Sequence, residues 1–459
     1  MRPRNEMARD QLLTVMRRHP GVKASKLAEL VNTSPATMNR MLSEAGAEVV
    51  RIGRAGRTRY YTRRPLRGAG GTLPLYAVDI QGNTAQVGEL SLIAPQGGIL
   101  DIAAMGWPVE AEFADGVWQG LPYPLQDMRP QGFLGRSFAQ QLAQELGVSA
   151  NPAEWGDDDV LYILSQRGAD TSGNLILGEV ALKRWLKSKT GQLEVPTSRS
   201  IEQDYAQDAN HASAMGAVNS SAAGEFPKFT ALRELPDSQT PHVIVKFSGA
   251  EDSSTVRRWA DLLVCEHLAL QTIRTIPEIK SARSRILRFQ GRTFLEVERF
   301  DRHGRFGRSP LCSLATIDAA MLSKSSHDWG VLGELLCKQG WLSDLSVHSI
   351  RQIWMFGKLI GNTDMHKGNL SFIPTLPMRV APVYDMLPMV YAPLAGGEIP
   401  KVTYAPELPA PKSRDVWHQA CAAAMVFWES VAADERIGTE FRATGWQNLQ
   451  ILSKLKTLA

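Results

Sequence analysis

The residues best suited to chemistry stand in Gly361-Asn362-Thr363-Asp364-Met365-His366-Lys367-Gly368-Asn369 and, a short way on, in Ala381-Pro382-Val383-Tyr384-Asp385. A carboxylate and an amide at Asp-x-x-x-x-Asn spacing, followed by a second carboxylate, suit phosphoryl transfer. One acidic group orients a hydroxyl, and two oxygen donors hold a divalent cation against phosphates. Taken singly, Asp364 and Asp385 are also residues that cap turns. The chemistry therefore depends on whether the rest of the chain provides a place for a nucleotide.

Val243-Ile244-Val245-Lys246-Phe247 is an apolar, strand-like run that carries one lysine. An unpaired ammonium in such a setting is costly, and nucleotide phosphates would satisfy it. A helix predicted from Arg257 to Thr272 offers Glu266, which either orients Lys246 or stands exposed on the helix surface. Asn219 to Lys228 is rich in small residues, which let backbone amides approach phosphates, but it is neither GxGxxG nor Walker A and on its own reads first as a plain surface loop. Polar residues fill Pro196 to Ser221 with little apolar periodicity, predicting a mobile loop. Phe294 to Arg302 alternates apolar and charged residues, as a half-buried strand would, and could hinge two lobes and give its backbone to adenine.

These residues need elements to position them. Apolar spacing predicts helices over 332–339, 347–360 and 416–431, the second delivering the Asp364 loop. Between 73 and 195, alternating runs at 75–80 and 85–90 predict a small antiparallel sheet, with helices over 135–146 and 158–166. Gly120 to Pro130 reads as a rigid connector used in packing.

At the N-terminus, helices are expected over 9–18 and 25–31. A third begins after Ser34, with Pro35 in its first turn and Met38, Met41 and Leu42 buried. Val49–Ile52 and Arg57–Thr62 then form a hairpin with a basic tip, which resembles the wing of winged helix-turn-helix domains. On that reading Thr37, Asn39 and Arg40 face the major groove of DNA, while Arg54, Arg57 and Arg59 reach phosphates or the minor groove. The same fold can serve protein contacts. Charge favours DNA, since residues 1–67 hold 15 Lys and Arg against 5 Asp and Glu, whereas the remainder holds 36 against 42. Residues 66–72, rich in glycine, are expected to be a flexible linker.

At 459 residues the chain is too long for one core. The expected organisation is a winged helix-turn-helix over 1–65, the linker, a subdomain over 73–195, a nucleotide-binding part over 196–320 and a helical catalytic lobe over 321–459. Four scattered cysteines without a C-x-x-C pair indicate neither a zinc site nor a disulfide framework. No run reaches membrane-spanning length, and no apolar stretch follows the basic N-terminal residues, so a cytoplasmic protein with no membrane partner is expected.

From about residue 75 onward, the order of these pieces resembles the HipA family of bacterial Ser/Thr kinases, toxins of type II toxin-antitoxin modules. The chain is identified as a YjjJ-like member with a fused N-terminal winged helix. Ser221-Ala222-Ala223-Gly224 and Lys228 resemble the family's phosphate loop, and Lys246 its ATP-contacting lysine. Val297-Glu298-Arg299-Phe300-Asp301-Arg302 is similar to its hinge, where Glu298 and Phe300 would meet adenine.

The resemblance implies an α+β, two-lobed, protein-kinase-like fold using ATP and Mg2+. Asp364 would accept or orient a Ser/Thr proton, with His366 and Lys367 in the catalytic loop, His366 bracing it. Asn369 and Asp385 would bind magnesium. It further implies autophosphorylation at Ser221 or the adjacent Ser220, a protein substrate such as an aminoacyl-tRNA synthetase, and a HipB-like antitoxin as partner. Two other classes compete: a ligand-sensing DNA-binding regulator with an inactive kinase fold, and a magnesium-dependent nuclease fed by the basic head.

Overall fold

Leu12, Leu13 and Met16 lie on the buried side of α1 (Pro3–Arg18), which packs with α2 (Ala24–Val31) and α3 (Pro35–Ala45) around Leu27, Met38 and Leu42. The computed structural model describes residues 3–68, 70–191, 201–217, 226–233 and 239–459. Ser34 starts α3 as expected, its hydroxyl oxygen accepting from the Thr37 amide at 3.2 Å. Strands β1 (Val49–Ile52) and β2 (Arg59–Thr62) pair antiparallel, with Val49 opposite Thr62, across a short turn at Ala55–Arg57.

In the stretch expected to be a linker, the described residues on either side make contacts. Leu66 is buried in the main core, its amide donates to the Gly70 carbonyl at 2.9 Å, and Thr72 already belongs to the next strand. Glycine permits looseness without imposing it, and one leucine with a core to enter is enough to fix the path.

A five-stranded antiparallel sheet follows in the order β6-β5-β4-β3-β7, built from β3 (Thr72–Val78), β4 (Thr84–Leu92), β5 (Gly98–Ile99), β6 (Val117–Trp118) and β7 (Leu175–Leu177). Helices α4 (Gly132–Leu146), α5 (Asp157–Arg167) and α6 (Glu179–Thr190) accompany it. The connector around Tyr123–Met128 packs as expected, with Tyr123, Leu125 and Met128 buried.

The polar stretch expected to be a mobile loop contains α7 (Ile201–Ala217). Its buried stripe is Ile201, Tyr205, Ala209 and Ala212, at helical spacing but half alanine. Small residues suffice because the helix lies on an aromatic sheet face that supplies the bulk.

That sheet has the order β10-β11-β9-β8, from β8 (Lys228–Leu232), β9 (His242–Phe247), β10 (Ser284–Phe289) and β11 (Arg292–Glu298), all antiparallel. Strand alternation sorts its two faces. Val243, Val245, Phe247 and Phe294 cluster with α7, while Leu295 and Val297 join the core containing α8 (Ser254–Thr272). Lys246, out of step with Val245 and Phe247, therefore turns toward α8.

The C-terminal half is helical: α9 (Leu314–Ile317), running into a π-helical turn at Asp318–Leu322, then α10 (Trp329–Lys338), α11 (Asp344–Leu359), α12 (Arg414–Ala433) and α13 (Thr439–Leu458). The chain is thus a mixed α+β, two-lobed fold in which the four-stranded sheet and the helical lobe share one core. Among the described residues no helix is long and apolar enough to cross a membrane.

Candidate active site

Lys246 projects from β9 into a pocket that solvent scarcely reaches, 6% exposed, and Glu266 on α8 is fully buried opposite it. Lys246 Nζ donates to both Glu266 carboxylate oxygens at 2.7 Å and also to Asp385 Oδ1. Of the two readings open for Glu266, orientation of Lys246 is the one realised. Burial opposes the lysine's charge, yet the Asp385 and Glu266 carboxylates outweigh it and hold its pKa above the ordinary value. Glu266 is shifted up by burial, against the pull of Lys246. For Asp385, burial works against ionisation, but Lys246 and Lys228 prevail and bring its pKa down to about 2. It is therefore a carboxylate at any physiological pH.

The loop carrying Asp364 leaves a firmly held helix end. α11 starts at Ser343, whose hydroxyl accepts from the Ser346 amide at 3.2 Å, and buries Val347, Ile350, Ile353 and Phe356. At its end the Leu359 carbonyl accepts from Trp428 Nε1 at 3.3 Å and from the Tyr404 hydroxyl. Gly361, at φ +77°, turns the chain away where a Cβ would come within 2.8 Å of Val390.

The loop is then braced internally. Asn362 Oδ1 accepts from the Asp364 amide at 3.0 Å, His366 Nδ1 accepts from the Gly368 amide at 3.0 Å, and Asn369 Nδ2 donates to the Asp364 carbonyl at 2.8 Å. The Asp364 side chain remains exposed, and its pKa is raised by partial desolvation, with His366 lowering it and the Asp385 charge adding to the rise. Asp385 itself sits at φ +56°, a strained setting for a residue with a side chain.

Lys367 is used differently from the expected catalytic part. Its ammonium is held 2.6 Å from Asp318 Oδ2 and 2.7 Å from the Lys324 carbonyl, so it ties the loop to the π-helical turn. It precedes Gly368 in the short helix Lys367–Asn369, and this position turns it toward Asp318. Asp318 was missed in the sequence, where nothing marks an aspartate 49 residues upstream as its partner. Tyr384 was quoted without a role. Its hydroxyl donates to the Gly368 carbonyl at 2.6 Å, and its ring lies 5.6 Å from that of Phe300. It thereby ties the Phe300 segment to the loop of Asp364 and Asn369.

Of the other expected site residues, Glu298 ends β11 opposite Val243, half-buried, and Phe300 packs half-buried on the shared core. Lys228 begins β8, paired in register with Lys246. Ser220, Ser221 and Gly224 lie outside the described residues. Asn39, Arg40, Arg54, Arg57 and Arg59 are exposed on the N-terminal unit, and Thr37 is half-buried with its hydroxyl accepting from Ser34 at 3.0 Å.

The donors present fit a magnesium ion. With Nδ2 of Asn369 given to a carbonyl, its Oδ1 is left for a cation, and Asp385 is firmly ionised. Among the described residues no cluster of three or more His, Cys, Asp or Glu side chains could hold a metal alone.

Residues 69–186 match the family described as YjjJ-like toxin, middle domain, and residues 220–437 match the HipA-like C-terminal domain. Toxin YjjJ of Escherichia coli strain K12 is 37% identical over 422 residues, covering 91% of this chain and 92% of that protein. Among solved structures, the chain is similar to that of the Shewanella oneidensis MR-1 toxin-antitoxin system of HipA, HipB and its operator DNA, with TM-score 0.52 and 17% identity over 84% of this chain and 97% of that one. The latter likeness is one of fold. At this identity and coverage, the chain belongs to the family of YjjJ-like toxins, with a HipA-like C-terminal domain.

Proposed function

We propose that the protein is an ATP-dependent serine/threonine kinase toxin that transfers the γ-phosphate to a protein hydroxyl, and that its basic N-terminal winged helix binds DNA. The observation that carries the reading is the meeting of Lys246, Glu266 and Asp385, from a strand, a helix and a loop far apart in sequence, beside the loop of Asp364 and Asn369.

In this mechanism Asp364 orients the acceptor hydroxyl and takes its proton as the bond from that oxygen to the γ-phosphorus forms and the bond from the γ-phosphorus to the β,γ-bridging oxygen breaks, ADP leaving with the electron pair. Lys246, steadied by Glu266, and Lys228 face the phosphates, and Glu298 and Phe300 border the adenine. Asn369 and Asp385 would hold magnesium, which would neutralise phosphate charge. His366, Lys367 and Tyr384 are positioning residues that keep Asp364 and Asn369 in one geometry. Ser221, with Ser220 adjacent, is the proposed site of autophosphorylation.

DNA binding rests on the charge of residues 1–67 and on the exposed Arg40, Arg54, Arg57 and Arg59. The solved relative's HipB and operator DNA support an antitoxin of that kind and a role in self-regulation. An aminoacyl-tRNA synthetase is the proposed substrate class, by family likeness. Incubation with labelled ATP and with duplex DNA, each under magnesium, tests the reading: phosphate incorporation without DNA cleavage supports it, and cleavage without incorporation assigns a nuclease instead.

A further inference from the structure

A second cavity of about 340 Å3 lies between β8, the start of β9, helix α6 and the segment following the hinge. Five arginines among the described residues line it: Arg299, Arg302 and Arg308, all buried or nearly so, and Arg184 and Arg305, which are exposed. Among the described residues two carboxylates pair with the buried three. Asp301 pairs with Arg299 at 3.1 Å and Arg302 at 2.7 Å, and Asp170 pairs with Arg299 at 3.1 Å and Arg302 at 2.7 Å.

Arg308 is left with little. Its Nη2 donates to the Ala169 carbonyl at 2.7 Å, its nearest carboxylate is 3.8 Å away, and its Nη1 is buried without a hydrogen-bond partner, as is Nε of Arg302. A buried donor without an acceptor is costly, and a buried cation more so. The strain shows in the Arg308 pKa, pulled down to about 9 by burial and by the charge of Arg302. An anion entering this cavity would answer the buried guanidinium that its carboxylates reach least, and the planar guanidinium fork matches the oxygens of a phosphoryl group.

We propose that this cavity is a binding site for a phosphate-type anion, separate from the nucleotide cleft, with Arg308 and Arg184 supplying its donors. It stands independently of the kinase reading. Because Arg299 and Arg302 immediately flank Phe300 and Asp301, anion binding braces the hinge segment from outside the cleft.

The test is thermal unfolding of the full chain in inorganic phosphate or glycerol phosphate, against chloride at matched ionic strength and without ATP. Saturable stabilisation of about 2 °C or more in phosphate is expected. Glycerol phosphate matching inorganic phosphate assigns the site to the phosphoryl group alone, and a stronger response assigns it to an organic ester. Arg308→Met should abolish the shift. Arg184→Ala, at an exposed rim position that does not threaten folding, should weaken apparent affinity at least 5-fold. The double variant Lys246→Met/Glu266→Gln should retain it. Equal melting in phosphate and chloride, a shift that survives both arginine substitutions, or one lost in the double variant would overturn the proposal.

Discussion

Both carboxylate oxygens of Glu266 lie 2.7 Å from the ammonium of Lys246, in a spot where the glutamate is wholly withdrawn from solvent. The Glu266 carboxylate is not tolerable there without a cation. Lys246→Met leaves a buried carboxylate without its cation and should cost about 3–5 kcal/mol of unfolding free energy. The double variant Lys246→Met/Glu266→Gln should recover much of that loss. Urea denaturation of the four proteins gives the coupling directly, and additive losses would show that the pair is not coupled.

Asp364 has the opposite character. Its pKa is raised, chiefly by partial desolvation, so its ionised form is less favourable in the folded chain than in the unfolded one and its charge is a cost to the fold. Asp364→Asn should therefore abolish transfer while leaving the melting temperature equal or higher. In the wild type, the acid limb of the pH–rate profile should lie above the ordinary aspartate pKa, because the protonated side chain cannot take the hydroxyl proton. A variant that melts well below wild type would contradict this.

Asp385, depressed to about 2, gives a distinct acid signature. Between the unfolded value near 4 and the folded value, unfolding takes up about one extra proton. Its contribution is thus complete above pH 4 and is lost as pH falls toward 2. Stability measured over that window should fall less steeply for Asp385→Asn than for wild type.

The buried Glu296 carboxylate accepts from Tyr205 of α7 at 2.7 Å and from Arg233 at 2.5 Å. Tyr205→Phe should lower stability by about 1–2 kcal/mol and raise hydrogen exchange selectively across 201–217. Unchanged exchange there would mean that the tyrosine does not hold the helix to the sheet.

Much of this arrangement is legible in the residues themselves. The lone lysine in an apolar strand demands a buried partner, and Ser34-Pro35 announces a helix start. What escapes reading is what depends on neighbours distant in sequence. Glu266 looks the same on a helix whether it is exposed or buried, and only the packing of α8 against the sheet decides. The stripe of α7 is muted because alanines suffice against Phe247 and Phe294. Lys367 sits in the loop of Asp364 and Asn369 but pairs with Asp318, a contact that local spacing cannot reveal.

DNA binding has its own measure. Arg54→Ala and Arg57→Ala should each reduce the slope of log affinity against log salt by about 1 if each contacts a phosphate. An interaction insensitive to salt would exclude a phosphate-bound wing.

On the proposed function, Asp364 serves phosphoryl transfer from a nucleotide held by Lys246, Asn369 and Asp385. Wild type and Asp364→Asn, each with γ-labelled ATP and magnesium, test it most directly. Label incorporated into protein serine or threonine by wild type and reduced at least about 100-fold in the variant is the expected result. Equal incorporation by the two proteins, or none by a wild type that binds ATP, would contradict it.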